Sequence, residues 1–180
     1  MLKTKTKQRL VTLTVTAILT AAGVVIGRFL SINLPSMTIG LSFVPLILCG
    51  MLFGVLWGGI ASGLADFTGA LLFPFGPYFP GFTATAVISG MIFGAIGRLA
   101  EKKQSNRAFA LKAGALLILK EAVCSLALNT LFIYILYGTD YFALLLSRLP
   151  LSVITLILEV AFVVAVRASV LPSVKKTMER

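Results

Sequence analysis

ADFTGALLFPFGPYFPGFT, from Ala65 to Thr83, sets one acid in an apolar run, follows it with a loop of rings, prolines and glycines, and then opens a second apolar run. No residue from Phe67 to Thr83 carries a charge. Phe73, Phe75, Tyr78, Phe79 and Phe82 crowd into the loop, a composition that suits a cover over something buried better than a solvated connector.

The rest of the chain explains why such a loop can exist. Hydrophobic residues make up 58%, charged residues 12%, and mean hydropathy is +1.02, against about 45–50% apolar and about 25% charged in soluble domains. These values describe an all-α integral membrane protein. Apolar runs long enough for a hydrocarbon core of about 30 Å predict six transmembrane helices in one domain covering residues 1–180, at approximately 10–30, 39–54, 55–72, 82–100, 108–137 and 147–171.

The stretch 39–73 has no polar break. As one helix it would be about 50 Å long, so it is read as two helices turning near Gly54–Gly58, with Trp57 at a membrane interface.

Thirteen of the sixteen Lys and Arg residues fall in three clusters: Lys3 to Arg9, Arg98 to Lys112, and Arg167 to Arg180. Six spans put all three on one side, which the positive-inside rule makes the cytoplasm. Both termini then lie inside, and the loops near 31–38, 73–81 and 138–147 lie outside. The net charge of +10 is thus a topology signal and an attraction to the anionic lipid bilayer, not a nucleic-acid surface.

Several function classes drop out. The run from Leu10 to Leu30 is longer than a signal-peptide core and reads as a first span that the chain retains. With no histidine, and with Cys49 and Cys124 both inside spans, neither a metal site nor a disulfide framework is expected, and no cofactor is implied. No phosphate-binding G-x-x-x-x-G-K-[ST] loop occurs, so the chain is not expected to hydrolyse ATP or to be an enzyme.

Ionisable residues inside spans are costly and usually face a bundle interior or a cavity. Asp66, Lys120, Glu121 and Glu159 are such residues. The last three suffice for an ion-pair network that fixes helix packing. Asp66 lies about two turns below the aromatic loop, and Asn129 lies on a stripe with Glu121 and Ser125, which together suggest an outward-opening polar pocket. Arg28 and Arg148 fall outside the topological clusters, at the outer ends of their helices. Each suits either headgroup snorkelling or a bidentate bond to an anion. Stacking rings beside cations point to a planar ring system bearing negative charge. In the first span Ala17 and Ala21, and a neighbouring row of Thr16, Thr20, Gly23 and Gly27, permit close helix approach, within the bundle or onto a partner.

With these residues in view, the chain resembles an S component of an energy-coupling factor vitamin transporter, and Ala65-Asp66-Phe67 through Tyr78-Phe79-Pro80-Gly81-Phe82-Thr83 is similar to the folate-specific members. The Ala17/Ala21 pair matches the family's Ala-x-x-x-Ala motif. The resemblance implies a six-helix, substrate-binding subunit of a prokaryotic cell membrane importer. It docks through its first helix on a transmembrane coupling subunit that carries two ATPase subunits. It also implies folate as substrate, with Asp66 and Asn129 at the pterin edge, and with Tyr78, Phe79 and Phe82 as stacking or lid residues. Pro80, Gly81 and Thr83 complete the lid segment, and Arg28 and Arg148 take the glutamate carboxylates. Two other readings stay open: another heterocyclic vitamin such as riboflavin, and a stand-alone ion-coupled carrier using Asp66, Glu121 or Glu159.

Overall fold

A computed structural model describes the backbone of residues 2–33 and 38–178, and side chains within 6–31 and 40–169. Seven α-helices and a π-helical segment account for nearly all of it. In chain order they are α1 Leu2–Phe29, α2 Phe43–Phe53, α3 Val55–Leu72, α4 Pro80–Ala100, α5 Asn106–Lys120, the π segment Glu121–Leu128, α6 Asn129–Tyr137 and α7 Tyr141–Met178. A two-residue antiparallel pairing, Ile32–Asn33 with Thr38–Ile39, precedes α2.

Helices α5, the π segment and α6 form one continuous span from Asn106 to Tyr137, which gives five spans of crossing length among the described residues. The sixth apolar helix, α2, has 11 residues. It is only about 16 Å long at about 1.5 Å per residue, shorter than the 39–54 span expected from hydropathy. The difference lies at its start, where residues 38–39 pair as extended backbone and Ser42 precedes the helix. Its end falls at Gly54, whose φ of 88° lets the chain reverse at once into α3.

Local chemistry sets the other ends. Pro80 stands in the first turn of α4, where its missing N–H costs no bond. The Ser105 hydroxyl accepts from Ala108 N at 3.2 Å and caps α5. Gly138, at φ 63°, closes α6, and Asp140 Oδ1 accepts from Phe142 N at 2.8 Å at the head of α7.

Helices α3 and α4 make the most extensive contact, because glycine faces glycine across it. A Cβ on Gly90 would strike the Gly58 carbonyl and the Ser62 hydroxyl, and one on Gly97 would come 2.7 Å from Met51 Cα on α2. Arg167 of α7 reaches the α4–α5 loop, donating to Gln104 O at 2.8 Å, so these basic segments share one end of the bundle as the charge pattern requires. At the same end lies a dry core of Ile96, Ala100, Phe109, Ala113, Val163 and Val166. The opposite end gathers the aromatic loop, with Phe29 edge-on to Phe73 and Phe67 edge-on to Tyr78.

Candidate functional site

Above the dry core the bundle encloses a cavity of about 340 Å³, within the range of small-molecule sites. Helix α1 lines it with Gly23, Gly27 and Arg28, α3 with Ser62, Ala65 and Asp66, and α4 with Ala86, Ser89 and Phe93. Ser42 with Phe43 and Leu46 of α2, Phe75 of the loop, Lys120 and Glu159 also line it.

Its outer rim is built from Arg28 and Asp66. The Arg28 guanidinium stacks 4.4 Å over the Phe75 ring. It lies so close along α3 that a Cβ on Gly69 would meet its Nε at 2.8 Å. Arg28 and Asp66 interact electrostatically, while Asp66 Oδ2 accepts from Thr83 Oγ1 at 2.7 Å and Thr83 Oγ1 in turn bonds the Tyr78 hydroxyl at 3.1 Å. The rim acid is thereby tied to the start of α4 and to the loop.

The floor is charged as well. Lys120 Nζ donates to Glu159 Oε1 at 2.7 Å and Oε2 at 2.9 Å, and pairs with Glu121 Oε2 at 2.9 Å. It also lies 5.7 Å from the centre of the Phe93 ring. Between rim and floor the Ser62 hydroxyl, buried at 2% exposure, has no hydrogen-bond partner.

A cavity of this kind, lined up to the loop-capped end of an all-helical membrane bundle by Arg28, Asp66 and Phe75, is what the sequence pattern anticipates for a vitamin-binding subunit. The family described as ECF-type riboflavin transporter, S component, matches residues 7–170. The chain belongs to the ECF-type S components. It is a multi-pass protein of the bacterial cell membrane. This S component is 37% identical, over 70% of both chains, to the folate transporter FolT of Clostridium novyi. It is 26% identical to that of Leuconostoc mesenteroides, over 69% of this chain and 64% of the relative. Its fold matches a crystal structure of FolT bound with folic acid at a TM-score of 0.76, with 30% identity over 88% of this chain and 93% of the other.

Among the residues singled out in sequence, Arg28 and Asp66 line the cavity of the S component, and Thr83 and Tyr78 reach it through Asp66. Phe79 and Phe82 stack on Phe132 of α6, at 5.0 and 5.7 Å between ring centres, and are not part of the lining. Gly81 allows that cluster, since a Cβ there would meet the Phe132 ring at 2.6 Å, and Pro80 begins the helix that carries it. Asn129 also stands outside the lining, its Oδ1 accepting from Thr85 Oγ1 at 2.7 Å. Arg148 is 4% exposed, which rules out snorkelling; its Nε and Nη1 have no hydrogen-bond partner, and it interacts electrostatically with Glu121 away from the rim. Ala17 and Ala21 face outward, whereas Thr16 and Gly23 of the neighbouring row face the bundle.

Sequence reasoning missed Ser62, Ser89, Phe93 and Phe132. Ser62 stands one turn before Asp66 on α3, a spacing that could have marked it. The Lys120–Glu121–Glu159 network was expected as packing; the structure forms it, and also places Lys120 and Glu159 on the cavity wall.

Proposed function

We propose that this S component binds folate from outside the cell and confers specificity on an ATP-driven importer. The observation that carries this reading is the Arg28–Asp66 rim under an aromatic loop, on a fold shared with a FolT structure bound to folic acid. Folate joins a planar pterin and an aromatic middle to a glutamate with two carboxylates. Arg28 offers those carboxylates a fork of donors at the outer rim, and the thread Asp66–Thr83–Tyr78 holds the loop across the entrance.

Transport needs partners. The family's name supports docking on a transmembrane coupling subunit with two ATPase subunits, which hydrolyse the ATP. The outward face of α1, with Ala17, Ala21, Ile18 and Val25 exposed, is the surface we assign to that contact.

Titration of the detergent-purified protein with folic acid and with riboflavin, followed by Trp57 fluorescence, tests the substrate. Saturable folic acid binding with no riboflavin competition is expected; preference for riboflavin overturns the assignment.

A further inference from the structure

Among the described residues, five of the six buried side-chain polar atoms that lack a hydrogen-bond partner lie outside the cavity lining. They are Arg148 Nε and Nη1, Ser152 Oγ, Thr130 Oγ1 and Glu121 Oε1, on residues no more than 5% exposed. All of them fall on one seam of the bundle. Tyr141, Arg148, Ser152 and Glu159 follow one another at intervals of seven, four and seven residues along α7, which keeps them within about 40° on its surface. Tyr141 meets Tyr134 of α6 edge-on at 6.4 Å, and Thr130 stands one turn before Tyr134 on the same face. At the other end of the seam Glu159 holds Lys120, which pairs with Glu121 Oε2. Arg148 sits between these two fixed contacts, about 11 Å from Tyr141 and about 17 Å from Glu159 along the helix. Its charge acts on Glu121, yet Glu121 Oε1, the oxygen that Lys120 does not hold, stays unbonded.

Buried polar groups in folded chains are almost always bonded, to protein or to ordered water. The groups of this seam complement a small polar molecule, since guanidinium N–H groups donate, a carboxylate oxygen accepts, and hydroxyls do either. Charge selects which molecule. Lys120 and Arg148 bring two positive charges and Glu121 and Glu159 two negative ones, so the group is balanced as it stands. An anion at Arg148 would add a third negative charge beside Glu121, and a cation would face the guanidinium. Water meets both conditions: it accepts from Arg148 and donates to Glu121 Oε1, and a buried water needs two to four polar partners of this kind.

We propose that this seam is a hydration site, separate from the ligand cavity, in which ordered water joins Arg148 to Glu121 with Ser152 and Thr130 as further partners. Lys120 alone sets one charge against two acids. The water-borne link to Arg148 balances Glu121 and leaves Lys120 paired with Glu159 on the cavity wall. Arg148 is therefore a positioning residue, acting on the wall through water and Glu121, whichever vitamin the cavity takes.

Two measurements on the full-length purified protein test this. The first is a crystal structure that resolves single waters, from crystals grown with bromide in place of chloride. Density within hydrogen-bonding distance of both Arg148 and Glu121, without anomalous signal, is expected. A bromide peak there, a direct Arg148–Glu121 ion pair, or no density between the two overturns the proposal. The second is a charge-rescue series read by thermal melting. Arg148→Met strands Glu121 and should lower Tm by about 5 °C or more. Adding Glu121→Gln restores the charge balance and should recover at least half of that loss, whereas a double variant no more stable than Arg148→Met removes the balancing role. If Arg148→Met gives no folded protein, the yield of folded double variant is the readout: recovery supports the proposal, and equal failure sinks it.

Discussion

Thr83 donates its hydroxyl proton to Asp66 Oδ2 at 2.7 Å, joining the first turns of α4 to the outer half of α3 across the loop that separates them in sequence. The bond closes the aromatic loop into a cover whose base is the cavity rim. Replacing Thr83 by Val removes a bond to a charged acceptor, of about 1.5–3 kcal/mol. Folic acid affinity should fall about tenfold, and Thr83→Ser should retain it. Calorimetric titration of the two variants checks this, and equal affinities would separate the loop tie from binding.

Gly90 is locked by its neighbours. A methyl group there meets the Gly58 carbonyl and the Ser62 hydroxyl, so Gly90→Ala must spread α3 from α4 at a cost of about 1–3 kcal/mol or more. Gly114, on α5, has open space around its would-be Cβ, and Gly114→Ala should be neutral or stabilise by up to about 1 kcal/mol. Thermal melts in one detergent compare them; the expected result is a lowered Tm for Gly90→Ala alone.

Lys120 satisfies two buried acids at once. Lys120→Met strands both carboxylates and should cost about 3–5 kcal/mol. Adding Glu159→Gln removes one stranded charge, so the double variant should melt at a higher temperature than Lys120→Met. A double variant that melts lower would show that the pair is not the source of the loss.

Ala17 and Ala21 are exposed, so bulky substitutions there meet no neighbour within the chain. Ala17→Trp with Ala21→Trp should leave folic acid affinity within about twofold and abolish ATP-dependent uptake by the assembled transporter in proteoliposomes. Uptake at the wild-type rate would move the docking face elsewhere.

Much of this architecture was written in hydropathy and charge. The spans follow from apolar run length, and the turn between α2 and α3 from the glycines near Gly54, because both are local properties. Arg28 and Asp66 were legible as cavity residues because each breaks an apolar helix at the loop-capped end. Arg148 breaks its helix in the same way, yet it turns inward to Glu121, and no sequence spacing encodes which neighbour a buried side chain meets. Phe79 and Phe82 read from sequence as stacking or lid residues, whereas their ring partner Phe132 lies far along the chain, so the cluster could only be read from packing. Asn129 shared a four-residue stripe with Glu121 and Ser125 only on the assumption of α-helical register, which the π segment between them does not keep.

That π segment, Glu121–Leu128, begins just after Lys120 and ends just before Asn129. Its bonds span one residue more than those of an α-helix, as though extra residues had been spliced into a regular span. Deleting one would leave a sound helix but swing everything beyond it by about 100° around the axis. Thr85 would lose its Asn129 acceptor, and Tyr137 would leave its place against Gly76, while Lys120 stayed where it is. A single-residue gap in this window among homologous chains therefore reports on lid geometry: such a chain keeps the same floor beneath a differently aimed cover.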